Sequence, residues 1–322
     1  MAECERDSGM DFGYSGNRSV VVLGASGFLG ANLCHAAVRD GWEVKGTYRS
    51  NPIRLRNVQL HHLDLSDRRS LDSVFAKLSP RLVVNCVALA DVEECERQPA
   101  LAQHLNSWFA EQVAEKCRDL DCALVHISTD AVFAGVVGSC SELTATSPIN
   151  TYGSSKLDGE ELVLRAWERS VVARLSFYGW SPSRDRSILE YFVRGLRSGS
   201  VCKGFTDLLF APISATSVWS SILSLAEHKL WGIQHLCSRG YLSKYEFGVR
   251  IARELGVRES LVVAASGVDN FRVPRGGKSF LTTRRTAPLA ANQRSLETDL
   301  HDLFRAEEQG LRQELSRGLE EN

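Results

Sequence analysis

The stretch "RSVVVLGASGFLGANLCHAAVRDG", from Arg18 to Gly41, constrains the fold more than any other. It opens as a continuous apolar run, turns through Gly24, Gly27 and Gly30, and continues with the spacing of an amphipathic helix that ends at Gly41. A strand that is apolar on both faces belongs inside a parallel sheet with helices on each side. The rhythm repeats. "EVKGTYRS" and "VQLHHLDLSD" read as strands, then "RRSLDSVFAKLS" as a helix and "RLVVNCVAL" as a strand. A helix around "LAQHLNSWFAEQVAEKCRDL", the strand "CALVHISTDAVF", a helix from Pro148 to about Arg169 and the strand "VVARLSFYG" follow. Strands alternating with helices predict an α/β fold, a doubly wound parallel sheet.

From about Gly179 the rhythm changes. "RSILEYFVRGLRSG", "SATSVWSSILSLAEHK" and "SKYEFGVRIARELG" read as helices, the last with Ser243 as N-cap, and "GIQHLCS" as a short strand. Residues 268–295 read as irregular and basic, and the last stretch as an amphipathic helix with Leu300, Leu303 and Phe304 on one side. The expected organisation is a loose leader over residues 1–17, a nucleotide-binding domain over 18–178, and a smaller mixed lobe over 179–322, interleaved with it. No apolar run approaches the roughly 20 residues of a membrane span, and the leader lacks the apolar core of a secretory signal. The formal net charge of −1 attracts neither nucleic acid nor an anionic membrane. Nine cysteines form no metal pattern, and Cys34, Cys86 and Cys122 sit in apolar segments. The eight histidines form no metal motif either; His61 and His62 alternate faces of one strand. No metal is expected, and a reducing cytoplasm fits this cysteine usage.

The glycines of "GASGFLG" have separable roles. Gly24 permits a tight turn, Gly27 lets backbone approach a pyrophosphate, and Gly30 lets the helix pack close. The phosphate then meets free N–H groups at the helix start. Any strand–helix junction can use a glycine turn; this position after the first strand favours a dinucleotide. Ser26, Phe28 and Leu29 complete the expected turn contacts. The second strand ends in "GTYRS" without an acid for the ribose hydroxyls of NAD. Arg49 can instead pair with the 2′-phosphate of NADP, so NADPH is the expected cofactor, with NADH as the alternative. Asp64 and Leu65 close the third strand, where adenine would lie. Cys86, Val87 and Ala88 close the fourth, beneath the middle of the cofactor.

In "NTYGSSKLDGEEL", Tyr152 and Lys156 share one helix face, one turn apart. Two readings are open. The pair is a half-buried tyrosine under a lysine stem, or the ammonium lowers the phenol pKa and prepares it to donate a proton.

"GASGFLG", Thr129 in "ISTDAVFAG" and "YGSSKLDGE", in this order, resemble the extended short-chain dehydrogenase/reductase family. Within it, "STDAVFAG", "SPINTYGSSKLDGE" and "RLSFYG" look most like dTDP-4-dehydrorhamnose reductase and its relatives. The resemblance runs from about Arg18 to Leu300. It implies a Rossmann-type fold with a substrate-binding lobe, and NAD(P)H-dependent reduction of a keto group on a nucleotide-activated sugar. By motif, Tyr152 is the proton donor, Lys156 lowers its pKa and bonds the nicotinamide ribose, and Thr129 bonds the substrate oxygen. Ser128 and Asp130 are implied near the substrate, and Asn106 matches an asparagine that supports the active-site helix. A pattern like the family's F-T-D…P stands at Phe205, Thr206, Asp207 and Pro212. The segment "RRTAPLAANQRSLET" is similar to one that lies over the sugar nucleotide, with Arg284 and Arg285 as substrate candidates and Arg275 and Lys278 before them. Where relatives carry "STDYVFDG", this chain has Ala131 and Ala134. The expected partners are a nucleotide sugar and a second copy of the chain in a homodimer. Two alternatives stay open. One is a catalytically silent, NADP-binding regulatory subunit like the β subunit of methionine adenosyltransferase; the other is a sugar-nucleotide epimerase or dehydratase.

Overall fold

The structure is a computed structural model, and it describes residues 18–184, 186–267, 271–284 and 295–316. The expected leader lies outside the described residues, as do Arg285 and most of the segment compared with the family's sugar-nucleotide cover. Seven strands form the central sheet: β1 Ser19–Leu23, β2 Glu43–Tyr48, β3 Val58–His62, β4 Leu82–Asn85, β5 Ala123–Thr129, β6 Ser170–Leu175 and β7 Gly232–Leu236. Their order is β7-β6-β5-β4-β1-β2-β3, and every neighbouring pair is parallel. The sheet is the doubly wound Rossmann type expected. Strand order reverses between β1 and β4, so the helices leaving them cover opposite faces and a crevice opens at their carboxyl ends.

Both faces of β1 are core. Val20 and Val22 join one buried cluster, Val21 and Leu23 the other. The first cluster also holds Leu189, Phe247 and Leu300, so one continuous apolar interior joins the sheet to the C-terminal half. That half returns β7 to the sheet edge beside β6. Its helices begin with strong stops: Ser187 and Ser243 each make a reciprocal capping box, with Glu190 and Glu246.

Four local expectations change. The helix expected from Pro148 runs from Thr151 to Ala166, because the Asn150 side chain accepts from the Gly153 amide at 2.8 Å and caps it there. The helix around residues 101–120 is interrupted by a π-helical turn, His104–Trp108, between the Pro99–Gln103 and Phe109–Asp119 helices. In the basic segment, Ser279–Leu281 forms a strand parallel to Gly138–Cys140. The terminal helix breaks into Leu296–Glu308 and Leu311–Ser316 at Gly310, whose φ of +97° is left-handed. A short helix, Val92–Arg97, carries too little periodicity to be read from sequence.

Candidate active site

A cavity of ≈ 530 Å³ opens in the crevice. Gly24, Ser26, Gly27 and Phe28 line it from the turn after β1. Gly24 takes φ +78°, which other residues rarely adopt, and a side chain at Gly30 would run into the Gly24 carbonyl. The turn therefore lies directly against the Phe28–Arg39 helix. No side chain caps that helix at Gly27, and Gly27 and Phe28 line the cavity at its start. Arg49 lines the cavity from the end of β2, Leu65 from beyond β3, and Cys86, Val87 and Ala88 from beyond β4. Two expected residues face elsewhere. Leu63 and Leu65 line the cavity, while Asp64 between them is exposed past the end of β3 and accepts from the Ser66 amide at 2.9 Å and hydroxyl at 2.6 Å. The Leu29 side chain is buried in the core beneath the turn.

Beside β4, the end of β5 brings Thr129 together with Tyr152 and Lys156, and Lys156 acts by charge on the cavity residue Cys86. The Thr129 hydroxyl is close enough to the Tyr152 phenol to pull its pKa down. Thr129 Oγ1 also accepts from the Ala131 amide at 3.1 Å, which fixes its rotamer. Lys156 is 1% exposed; its Nζ donates to the Ile127 carbonyl at 2.8 Å and lies 3.1 Å from His126 Nε2. Burial pulls Lys156 down to about 8, opposed by the charges of Glu160 and Cys86. Burial and Lys156 together hold the enclosed His126 well below its ordinary value, so it is neutral.

Burial pushes the Tyr152 phenol up to about 12; its bond to Thr129 pulls down, and the charges of Asp130 and Cys95 push further up. The ammonium is engaged by Ile127 and His126 at the back of the site rather than by the phenol.

The π-helical turn now has a purpose. It carries Asn106, fully buried, which accepts from the Leu89 amide at 2.8 Å and donates to the Leu89 carbonyl at 3.1 Å and Ser155 Oγ at 2.9 Å. Asn106 thus ties the segment after β4 to the helix bearing Tyr152. Gly159 lets that helix approach, since a side chain there would collide with the Asn106 carbonyl.

Other expected residues have partners of their own. Ser128 alternates with Thr129, and its hydroxyl donates to Glu160 Oε1 at 2.5 Å behind the strand. Glu160 is itself held by Arg174, both side chains at most 3% exposed. Arg275 pairs with Glu93 at 2.5 Å and lies over the Phe271 ring. Arg284 is exposed and its amide donates to Glu142 at 3.0 Å. Asp207, of the F-T-D pattern, accepts from Ser266 Oγ and the Gly267 amide at 2.6 Å each, a loop brace. The change to alanine at Ala134 has a steric counterpart, because Gly276 packs directly on Ala134 with no room for a side chain.

Sequence reading missed two residues. Lys244 opens the Lys244–Glu254 helix with its Nζ 3.3 Å from the Phe210 ring centroid, and its charge acts on Asp130. Asp130 Oδ1 in turn lies 3.3 Å from Thr129 Oγ1. A signal existed: a cation at the first position of a helix opposes the helix dipole and asks for another reason. The second is Arg186, which lines the cofactor-sized cavity from the segment after β6. Nothing in its local sequence marks it. Among the described residues no cluster of side chains fits a metal ion, and no helix is long and apolar enough to cross a membrane.

The sequence model of the RmlD substrate binding domain matches residues 18–308. The chain is 30% identical to the probable low-salt glycan biosynthesis reductase Agl14 of Haloferax volcanii, over 87% of this chain and 95% of that protein. It is 26% identical to methionine adenosyltransferase 2 subunit beta of Xenopus laevis, over 73% of this chain and 72% of that protein. Among solved structures, a dTDP-4-dehydrorhamnose reductase from Bacillus anthracis in complex with NADP is similar in fold, with a TM-score of 0.76 at 23% identity, covering 90% of this chain and 99% of that one.

Proposed function

The chain belongs to the RmlD substrate binding domain family, and from that premise we propose that it is an NADPH-dependent reductase of a keto group on a nucleotide-activated 4-keto-6-deoxy sugar, with Tyr152 as proton donor. One observation carries the reading: Thr129, Tyr152 and buried Lys156 gather next to a cavity floored by a glycine turn, with Lys156 acting by charge on Cys86, which lines it. The residues present fit such a cofactor. The uncapped helix start and the bare backbone at Gly27 suit a diphosphate, and Arg49 suits a 2′-phosphate. Bound there, the dinucleotide supplies the hydride.

The chain's own residues do the rest. Thr129 and Tyr152 hold the substrate oxygen between their hydroxyls, and Tyr152 releases its proton to that oxygen as negative charge develops on it. The phenol becomes a phenolate, and the positive charge of Lys156 one turn away favours that state. Asn106 keeps the helix carrying both residues in register with the segment after β4. The epimerase or dehydratase alternative lacks an observation of its own. The regulatory alternative has one, the similarity to the methionine adenosyltransferase subunit.

Purified protein and NADPH, offered 4-keto-6-deoxy nucleotide sugars, separate the two. Loss of NADPH absorbance with at least one sugar supports the reductase. No oxidation with any of them, alongside tight binding to another protein, overturns it in favour of the regulator. Titration of both cofactors by fluorescence tests NADPH over NADH: Arg49→Ala weakens NADPH about tenfold or more and leaves NADH nearly unchanged. Equal weakening of the two, or none, removes Arg49 from the 2′-phosphate.

A further inference from the structure

The cavity is not walled by the first half of the chain alone. Pro182, Ser183 and Arg186 reach it from the segment that follows the Phe177–Tyr178 strand and leads into the C-terminal lobe. We propose that Arg186 is a cofactor-binding residue, a guanidinium delivered by the C-terminal lobe to the cofactor's diphosphate, so that the bound dinucleotide latches the two halves together. The inference rests on the cavity being a dinucleotide site.

Three features of the segment support it. First, its start is fixed to the helix whose N-terminus faces the cavity. The buried Asn32 side chain, one turn into that helix, donates to the Phe28 carbonyl and to the Trp180 carbonyl, both at 2.9 Å. The Phe177 ring packs on the Phe28 ring, centroids 4.8 Å apart. The segment is thereby held at the glycine turn, the diphosphate end of the cavity, rather than at the end of β2 where Arg49 stands. Second, the loop is tied across its base. Glu190, 1% exposed, accepts from the Ser181 amide at 2.9 Å, the Ser181 hydroxyl at 2.7 Å and the Ser187 amide at 3.1 Å. The Ser187 hydroxyl donates to the Gly179 carbonyl at 2.7 Å. Positions 181 and 187 are thus held by one carboxylate, and the Arg186 amide reaches back to Ser181 Oγ at 3.4 Å. Third, Arg186 is exposed where it meets the cavity, so its guanidinium is available to a ligand there without first being desolvated. A planar guanidinium matches phosphate oxygens in a way an ammonium does not.

The two arginines then divide the cofactor. Arg49 reads the 2′-phosphate, which only NADPH carries; Arg186 reads the diphosphate, which NADPH and NADH share. The experiment is a fluorescence titration of the full chain with both dinucleotides, using the parent, Arg186→Ala, Arg186→Lys and Arg184→Ala. Arg184 is exposed in the same loop and does not line the cavity. Arg186→Ala is expected to weaken NADPH and NADH alike by about tenfold or more, Arg186→Lys by less, and Arg184→Ala not at all. ADP, tested by calorimetry, should lose affinity in Arg186→Ala, whereas adenosine should not. NADPH should also slow tryptic cleavage at Arg184 and Arg186 in the parent. Parent-like affinity of Arg186→Ala for both dinucleotides overturns the proposal while leaving the cavity's assignment intact. Weakening of NADPH alone also overturns it, by moving Arg186 to the 2′-phosphate. A parent that binds neither dinucleotide overturns the assignment of the cavity itself, and this inference with it.

Discussion

Two regions each bring one lysine toward the end of β5, one buried and one half-buried, and they use it differently. The first half of the chain brings Lys156, whose Nζ faces the Ile127 carbonyl and the neutral His126. The C-terminal lobe brings Lys244, whose Nζ lies over the Phe210 ring and whose charge acts on Asp130. Burial pulls both down to about 8. The same shift from the same cause therefore does not imply the same role. Lys156 bonds neutral groups, while Glu160, itself held by Arg174, acts on it by charge alone. Lys244 is a counter-ion to an acid already present, and it reaches Tyr152 only through Asp130 and Thr129.

Several substitutions break or sharpen this contrast. The largest expected effect is at the group both lysines serve. Tyr152→Phe removes only the hydroxyl, and loss of a general acid typically costs about 10²–10⁴-fold in rate. Steady-state turnover of a keto-sugar nucleotide should show that loss, with NADPH affinity by titration unchanged. Parent-like turnover would make the pair structural and place the protein with the regulatory relatives.

The lysines themselves should separate next. Lys156→Ala is expected to lose turnover on the scale of Tyr152→Phe and to weaken the cofactor as well. Lys244→Met should cost about tenfold in kcat/KM, the scale of coupling between neighbouring groups, and should leave cofactor affinity alone. Equal losses in both assays would mean that the two lysines act in the same way.

The pH profile separates them without deleting either. Tyr152, pushed up to about 12, keeps its proton across the working range, whereas Lys156 loses its charge as pH rises through about 8. The uncharged amine no longer favours the phenolate, so kcat should fall above that pH. Lys156→Arg stays charged and should carry the fall to higher pH. A fall that stays in place in the arginine variant assigns it to another group, with Lys244 the next to test.

The smallest effect concerns how Lys244 is presented. Ser243→Ala removes the cap of the Lys244–Glu254 helix and should cost ~1 kcal/mol of stability, read from denaturant midpoints. Turnover measured well below the unfolding transition should change little.

How much of this was legible varies with what each feature is made of. The strand ends at Arg49, Leu65 and Cys86 could be placed because a period of two and the glycine turn fix which residues reach the crevice. The same alternation puts Ser128 on the opposite side of β5 from Thr129, against Glu160, while Asp64 lies past the end of β3, where the period of two no longer applies. Asn106 stood in a recognisable motif, yet the π-helical turn that aims it leaves no trace in local propensity. Arg186 has no sequence neighbour that explains it, and the helix start at Lys244 marks an oddly placed cation without showing the acid it faces.

What the sequence determined by itself is the parallel sheet, the turn after β1 and the pairing of Tyr152 with Lys156 on one helix face. These follow from short-range rules: the two-residue period of strands, the backbone freedom of glycine and the 3.6-residue turn of a helix. Only the tertiary structure decided the state of the groups so placed. It set the direction in which Tyr152 is shifted, the carbonyl that Lys156 holds, the acid that Lys244 faces and the arginine that crosses from the second lobe. Desolvation depends on what packs around a side chain, and most of that comes from residues distant in the chain.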